Sequence, residues 1–175
     1  MTGAYILLFS RVLVDVTLDP DTASPYLTLS ADGKQATGGP RRQDVLETTK
    51  RFSAHSCVLG KEGFSSGKFY YEVVVGPTIR VWVVGVVSES INRNDNITLS
   101  PEKGHWTERQ EKSTTERVGI FVDYDAGLVS FYDADTWCPM RSYTNAIFNE
   151  RIYPFFCVTI PASVTIPAVV KCTSE

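Results

Sequence analysis

Two histidines, four cysteines and a run of four aspartates are the side chains of this chain with the means to make or break bonds. Hydrolysis would need a carboxylate beside an imidazole, and the nearest supply is Asp123, Asp125, Asp133 and Asp135 around one hairpin, with His55 or His105 as base. The spacing argues against it. Asp123 and Asp125 stand two positions apart, as on any solvated strand face, and Asp125 precedes Ala126-Gly127, where an aspartate is ordinary turn chemistry. There is no phosphate-cradling glycine loop and no zinc-protease histidine pair. No catalytic residue is assigned, and the chain is expected not to be an enzyme. Cys57, Cys138, Cys157 and Cys172 lie 81, 19 and 15 positions apart, without a Cys-x-x-Cys pair, so neither zinc nor any other cofactor is expected. The thiols read as buried or idle in a reducing compartment. Asn96-Ile97-Thr98 is a glycosylation sequon, which matters only after secretion.

Composition removes further classes. With 175 residues, 43% of them apolar, the chain suits one domain with a single core. A formal net charge of -3 gives no broad attraction to phosphate backbones, so no nucleic-acid partner is expected. The apolar run Ala4 to Phe9 is far shorter than the ~20 residues of a spanning helix, so no membrane insertion is expected. Met1-Thr2-Gly3 lacks a basic start, and Arg11 follows the apolar run directly, which does not suit a secretion signal. Residues 1–11 read as a leader or first strand, and the expected location is cytoplasmic.

Helical periodicity is nearly absent, while short β-branched and aromatic runs recur between Gly, Pro, Asn and Asp. Lys68 to Val75 puts Phe69, Tyr71, Val73 and Val75 on one face, with Glu72 on the wetter side. Val81 to Val87 is apolar throughout and reads as a central strand, with Gly85 marking a bulge or a close backbone approach. Val118 to Tyr132 is a hairpin turning at Ala126-Gly127. Further strands are expected at Val12 to Leu18, Tyr26 to Leu29, Cys57 to Leu59, Arg141 to Tyr143, Ile152 to Val158 and Ala168 to Cys172. Asp44 to Phe52 reads as a loop or single turn. Thr107 to Glu116 holds no apolar residue and reads as a solvated loop. The fold class is therefore all-β, a two-layer antiparallel sandwich.

The order of motifs carries a resemblance. Leu18-Asp19-Pro20-Asp21-Thr22-Ala23, Tyr26 to Ser30, Arg51-Phe52 and Cys57-Val58-Leu59-Gly60 resemble a PRY segment. Phe64 to Val73, Trp82 to Val86, Gly104-His105-Trp106, Val118 to Tyr132 and Tyr153-Pro154-Phe155-Phe156 resemble the SPRY pattern. The resemblance implies a single PRY-SPRY domain over residues 12–172, PRY about 12–63 and SPRY about 64–172, with the concanavalin-like SPRY type of β-sandwich. It further implies a module that recognises a protein ligand, as found in tripartite-motif ubiquitin ligases, butyrophilins and NOD-like receptors of fish. The expected role is target recognition for a tripartite-motif ligase of innate immunity, whose catalytic RING would lie elsewhere; the alternative is the intracellular domain of a butyrophilin-like receptor.

Recognition belongs on loops projecting from a stiff frame, here Ala31 to Lys50, Ser88 to His105 and Asp133 to Asn149. The candidate protein-binding residues are Trp106, His105, Asn94, Arg93, Val83 and Ile160. Trp82 is expected in the core, whereas Trp106 borders a segment some twenty residues shorter than in the family and is expected to be uncovered as a binding contact. The shortening predicts an incomplete sheet edge and no aromatic pocket there. Val83 stands where antibody-binding and phosphoantigen-binding relatives place a polar contact, and Ile160 and Ala162 where antibody-binding ones place an aromatic and an acid. His55 matches a phosphoantigen-binding histidine, but Thr98 replaces the accompanying lysine, and one neutral imidazole does not hold a diphosphate.

Overall fold

In the computed structural model, residues 8–76, 79–159 and 161–169 are described. Among them are eleven strands: β1 (Leu27–Leu29), β2 (Gln35–Gly38), β3 (Cys57–Leu59), β4 (Lys68–Val75), β5 (Val81–Ser88), β6 (His105–Glu111), β7 (Arg117–Asp123), β8 (Leu128–Asp133), β9 (Pro139–Tyr143), β10 (Ile152–Val158) and β11 (Ala162–Thr165). A 3₁₀ turn, Pro101–Lys103, leads into β6. The strands form two antiparallel sheets, one of seven in the order β1-β2-β11-β4-β7-β8-β9 and one of four in the order β3-β10-β5-β6. The expected all-β sandwich is what the chain forms.

The main core lies between the sheets. Alternation along β4 sends Phe69, Tyr71, Val73 and Val75 into it, where they meet Trp82, Val84 and Val86 of β5 and Phe156 of β10. The Tyr71 hydroxyl crosses between the layers to donate to the Gly85 carbonyl at 2.6 Å. A second cluster covers the outer face of the four-stranded sheet, where Phe52 and Ile91 pack on Cys57, Leu59, Val83, Val87 and Phe155. β5 is apolar on both faces for this reason, and it is central as expected.

Three expectations need correction. Val12 to Leu18 is not a strand. Residues 12–14 bridge once, to Tyr70, with Val14 N–H donating to the Tyr70 carbonyl and Tyr70 N–H to that of Val12. They fill the edge of β4 that β11 leaves free, because β11 reaches only Val74 and Val75. The last strand is Ala162–Thr165, not Ala168 to Cys172, of which 170–172 lie outside the described residues. Finally, Thr107 to Glu116 is not a loop throughout. Its first half belongs to β6, paired with β5 from Val81↔Glu111 to Val87↔His105. Gly85 makes that pairing possible: its φ is 149°, and a Cβ there would run into the Trp106 carbonyl and come within 2.8 Å of the Thr107 Cα. The close approach read at Gly85 is therefore real.

Candidate functional site

The outer face of the four-stranded sheet can be built from strand registers alone. Cys57 lies opposite Cys157, Cys157 opposite Val83 and Val83 opposite Arg109, one row running across all four strands. Side chains directly opposite share a face, so these four stand together on the outside. Val83 is buried by the cluster above it, Cys157 is half-buried, and Arg109 projects into solvent.

Two loops fold over this row. Arg93 joins them: its Nη1 donates to the Lys50 carbonyl at 2.7 Å and its Nη2 to that of Glu89 at 3.1 Å, with the guanidinium 5.7 Å from the centre of the Phe52 ring. Ser53 N–H donates to the Arg93 carbonyl at 3.0 Å, and Ser53 Oγ to Asn94 Oδ1 at 3.2 Å. Arg93 thus spends its hydrogen bonds on holding residues 50–53 to residues 89–94, while Asn94 stays exposed. His55 is exposed too and accepts from the Ile97 N–H at 3.5 Å.

Trp106 and His105 fall on opposite faces of β6. His105 faces outward and packs edge-on against Phe155, with ring centres 5.8 Å apart. It is 3% exposed and its Nδ1 has no hydrogen-bond partner, so burial pushes its pKa down to about 4. Trp106 faces inward and is not uncovered. It is 3% exposed, a member of the main core, and meets Phe148 edge-to-face at 4.6 Å. Phe148, from the segment between β9 and β10, packs over it. Ile160 lies outside the described residues.

β6 is the edge strand of its sheet. Sequence reasoning missed how that edge is finished. Glu108 points inward with only 4% of its side chain exposed and accepts from Arg141 Nε of β9 at 2.6 Å, while Tyr143 donates to the Thr107 carbonyl at 2.7 Å. An inward charge and a side-chain donor blunt an edge that would otherwise template another strand. Beside the start of β6 opens a polar cleft of about 650 Å³, lined by Ser90, Asn92, Thr98, Lys103, Asn149 and Glu150.

The four aspartates are committed to turns and ion pairs. Asp123 accepts from Ala126 N–H, Asp125 from Gly67 N–H and Asp133 from the N–H groups of Asp135 and Thr136, and Asp135 faces Arg117 at 3.7 Å. Among the described residues no cluster of three or more His, Cys, Asp or Glu is placed to hold a metal ion. No helix among them is long and apolar enough to cross a membrane. What the outer face offers is a stiff sheet, two tethered loops and scattered polar groups at their tips, an arrangement suited to contact with another macromolecule.

Comparison with known proteins agrees. The family model for PRY, described as the SPRY-associated domain, matches residues 16–64, and that for the SPRY domain matches residues 105–169. The human E3 ubiquitin-protein ligase TRIM38 is 39% identical over 160 residues, which is 82% of this chain and 34% of that protein. Human butyrophilin subfamily 2 member A2 is 40% identical over 158 residues, 81% of this chain and 30% of that protein. The chain thus spans about a third of the length of such relatives. Among solved structures, the TRIM65 PSpry domain superposes with a TM-score of 0.79 at 19% identity, covering 94% of this chain and 95% of that one. Stonustoxin does so with a TM-score of 0.74 at 22% identity, covering 89% and 27%. These two show a shared fold.

Proposed function

The chain belongs to the PRY-SPRY family, a family of protein-binding modules, and from that premise we propose that it selects the target of a tripartite-motif ubiquitin ligase of innate immunity. The observation that carries the reading is the outer face of the four-stranded sheet. Its loops are pinned at their bases by Arg93, which limits the entropy lost on binding. Their tips leave Asn94 and His55 exposed, and Arg109 of β6, ion-paired with Glu111, is exposed on the same face. On this reading the chain does no chemistry on its ligand, ubiquitin transfer is performed by a RING in another part of the protein, and the domain works in the cytoplasm. Of the residues singled out in the sequence, Val83, Arg93 and His105 build the surface from beneath, and Asn94 touches the ligand.

The test uses the parent protein expressed in cells, with a photo-crosslinking residue in place of Asn94 or Arg109. A protein should crosslink at both positions and carry ubiquitin that disappears when Arg109→Glu is introduced. The butyrophilin-like reading rests on the 40% identity to butyrophilin subfamily 2 member A2, against 39% to TRIM38. It predicts a parent held in a membrane and a crosslinked partner without ubiquitin. Crosslinking from position 94 that is unchanged by Arg109→Glu, with crosslinking from position 109 that is unchanged by Asn94→Arg, would overturn the assignment of the face.

A further inference from the structure

Cys57 and Cys157 occupy facing positions on neighbouring strands β3 and β10. The kind of pair they form follows from the bonds around them. Val158 N–H donates to the Ser56 carbonyl at 3.2 Å and Gly60 N–H to that of Pro154 at 2.9 Å. In an antiparallel ladder hydrogen-bonded and non-hydrogen-bonded pairs alternate. Ser56/Val158 and Gly60/Pro154 are hydrogen-bonded pairs, so Cys57/Cys157 is of the other kind. Such pairs have Cα atoms about 4.5 Å apart and side chains turned to the same face, inside the window of about 4.4–6.8 Å that a disulfide requires. The two sulfurs are 2.6 Å apart, with the Cys57 thiol aimed at Cys157.

We propose that Cys57 and Cys157 form a thiol–disulfide exchange site whose substrate is a small-molecule disulfide of the glutathione type. Burial assigns the roles. Cys57 is fully buried and Cys157 half-buried, so only Cys157 meets an incoming disulfide. Cys157 gives its proton to solvent and its sulfur bonds to one sulfur of the substrate, breaking the substrate's S–S bond and releasing the first small thiol. Cys57 then loses its proton and its sulfur bonds to that of Cys157, expelling the second small thiol. The two protein sulfurs are oxidised by two electrons and the substrate is reduced by two. The order is fixed by environment as well as by access: burial, and after it the contact with Cys157, pushes the Cys57 thiol well up, so Cys57 keeps its proton and acts second.

The place of the bridge gives it a consequence. Cys157 sits in the same row as Val83 and Arg109, and Cys57 ends the segment that carries Phe52 and His55. A covalent link there fixes the base of that segment to β10. The site stands whether or not the outer face binds a ligase target.

The test exposes the purified chain to stepped ratios of oxidised to reduced glutathione, then blocks free thiols by alkylation and maps peptides by mass spectrometry. The expected product is a chain with two fewer alkylated cysteines and a linked peptide pair joining Cys57 to Cys157. Cys57→Ser should stop at a single glutathione adduct on Cys157, and Cys157→Ser should give neither adduct nor bridge at this pair. Amide exchange over residues 53–58 should slow in the bridged wild-type chain. Full alkylation of both cysteines at every ratio, in wild-type chain equilibrated while folded and alkylated after acid quenching and denaturation, would overturn the proposal, as would a bridge made instead to Cys138; both results are read without any variant.

Discussion

His105 shows how position sets chemistry at the level of one side chain. An imidazole on the outer face of a sheet would serve as an acid or base if water reached it, but His105 packs against Phe155 and is almost wholly buried. Its folded pKa is about 4 against an ordinary 6.5. Between those values the unfolded chain binds a proton that the folded chain does not, so stability should be level above pH 6.5, fall as pH drops toward 4, and gain no further loss from this group below that. His105→Phe keeps the packing and removes the proton, so urea midpoints of the variant should decline less across that interval; parallel curves would show that the imidazole is solvated when folded. Trp106 argues the same lesson with opposite sign. As a core ring its replacement by alanine should cost about 3–5 kcal/mol, a fall of roughly 10 °C or more in thermal midpoint for a chain of this size. An unchanged midpoint in a calorimeter would restore it to the surface. The tryptophan's type was legible; its burial was not, because the residues that cover it come from 42 positions later, at Phe148.

At the scale of the element, β6 is where pattern reading failed, and the cause is physical. Strands announce themselves by apolar residues at every second position, and the inward positions of β6 after Trp106 are Glu108 and Gln110. A charged pair does there what hydrophobes do in β4, which was legible to its end residues. That pair is asymmetric, since Glu108 is buried while Arg141 is half-exposed. Arg141→Met strands a buried carboxylate and should cost about 3 kcal/mol. Glu108→Gln leaves a guanidinium that can turn to water and should cost about 1 kcal/mol. Adding Glu108→Met to Arg141→Met should recover part of the larger loss, because no unpaired charge remains inside. Chemical denaturation of the four proteins checks these costs, and equal costs for the two single variants would mean that Glu108 reaches solvent.

For the whole molecule, the division into a PRY and a SPRY segment follows the sequence and not the sheets. β2 of the first segment pairs with β11, and β3 pairs with β10, which joins residues 35–59 to residues 152–165. Neither segment closes a core alone: without β3 and the residues around it, Phe155 and Val83 lose the cluster that covers them, and without β4 and β5 the first segment has only three short strands. Those long-range pairings could not be read from local pattern, since nothing in Cys57-Val58-Leu59 names its partner a hundred positions away. They predict that unfolding in urea is one cooperative event. Tryptophan fluorescence, which reports on Trp82 and Trp106 in the main core, and far-ultraviolet circular dichroism, which reports on every strand, should trace the same curve. Residues 1–63 and 64–175 made separately should each be unstructured or aggregating, and should regain the native spectrum only when mixed. Two resolved transitions, or a folded 64–175 fragment on its own, would make the first segment an appendage to the recognition face instead of part of the frame that holds it.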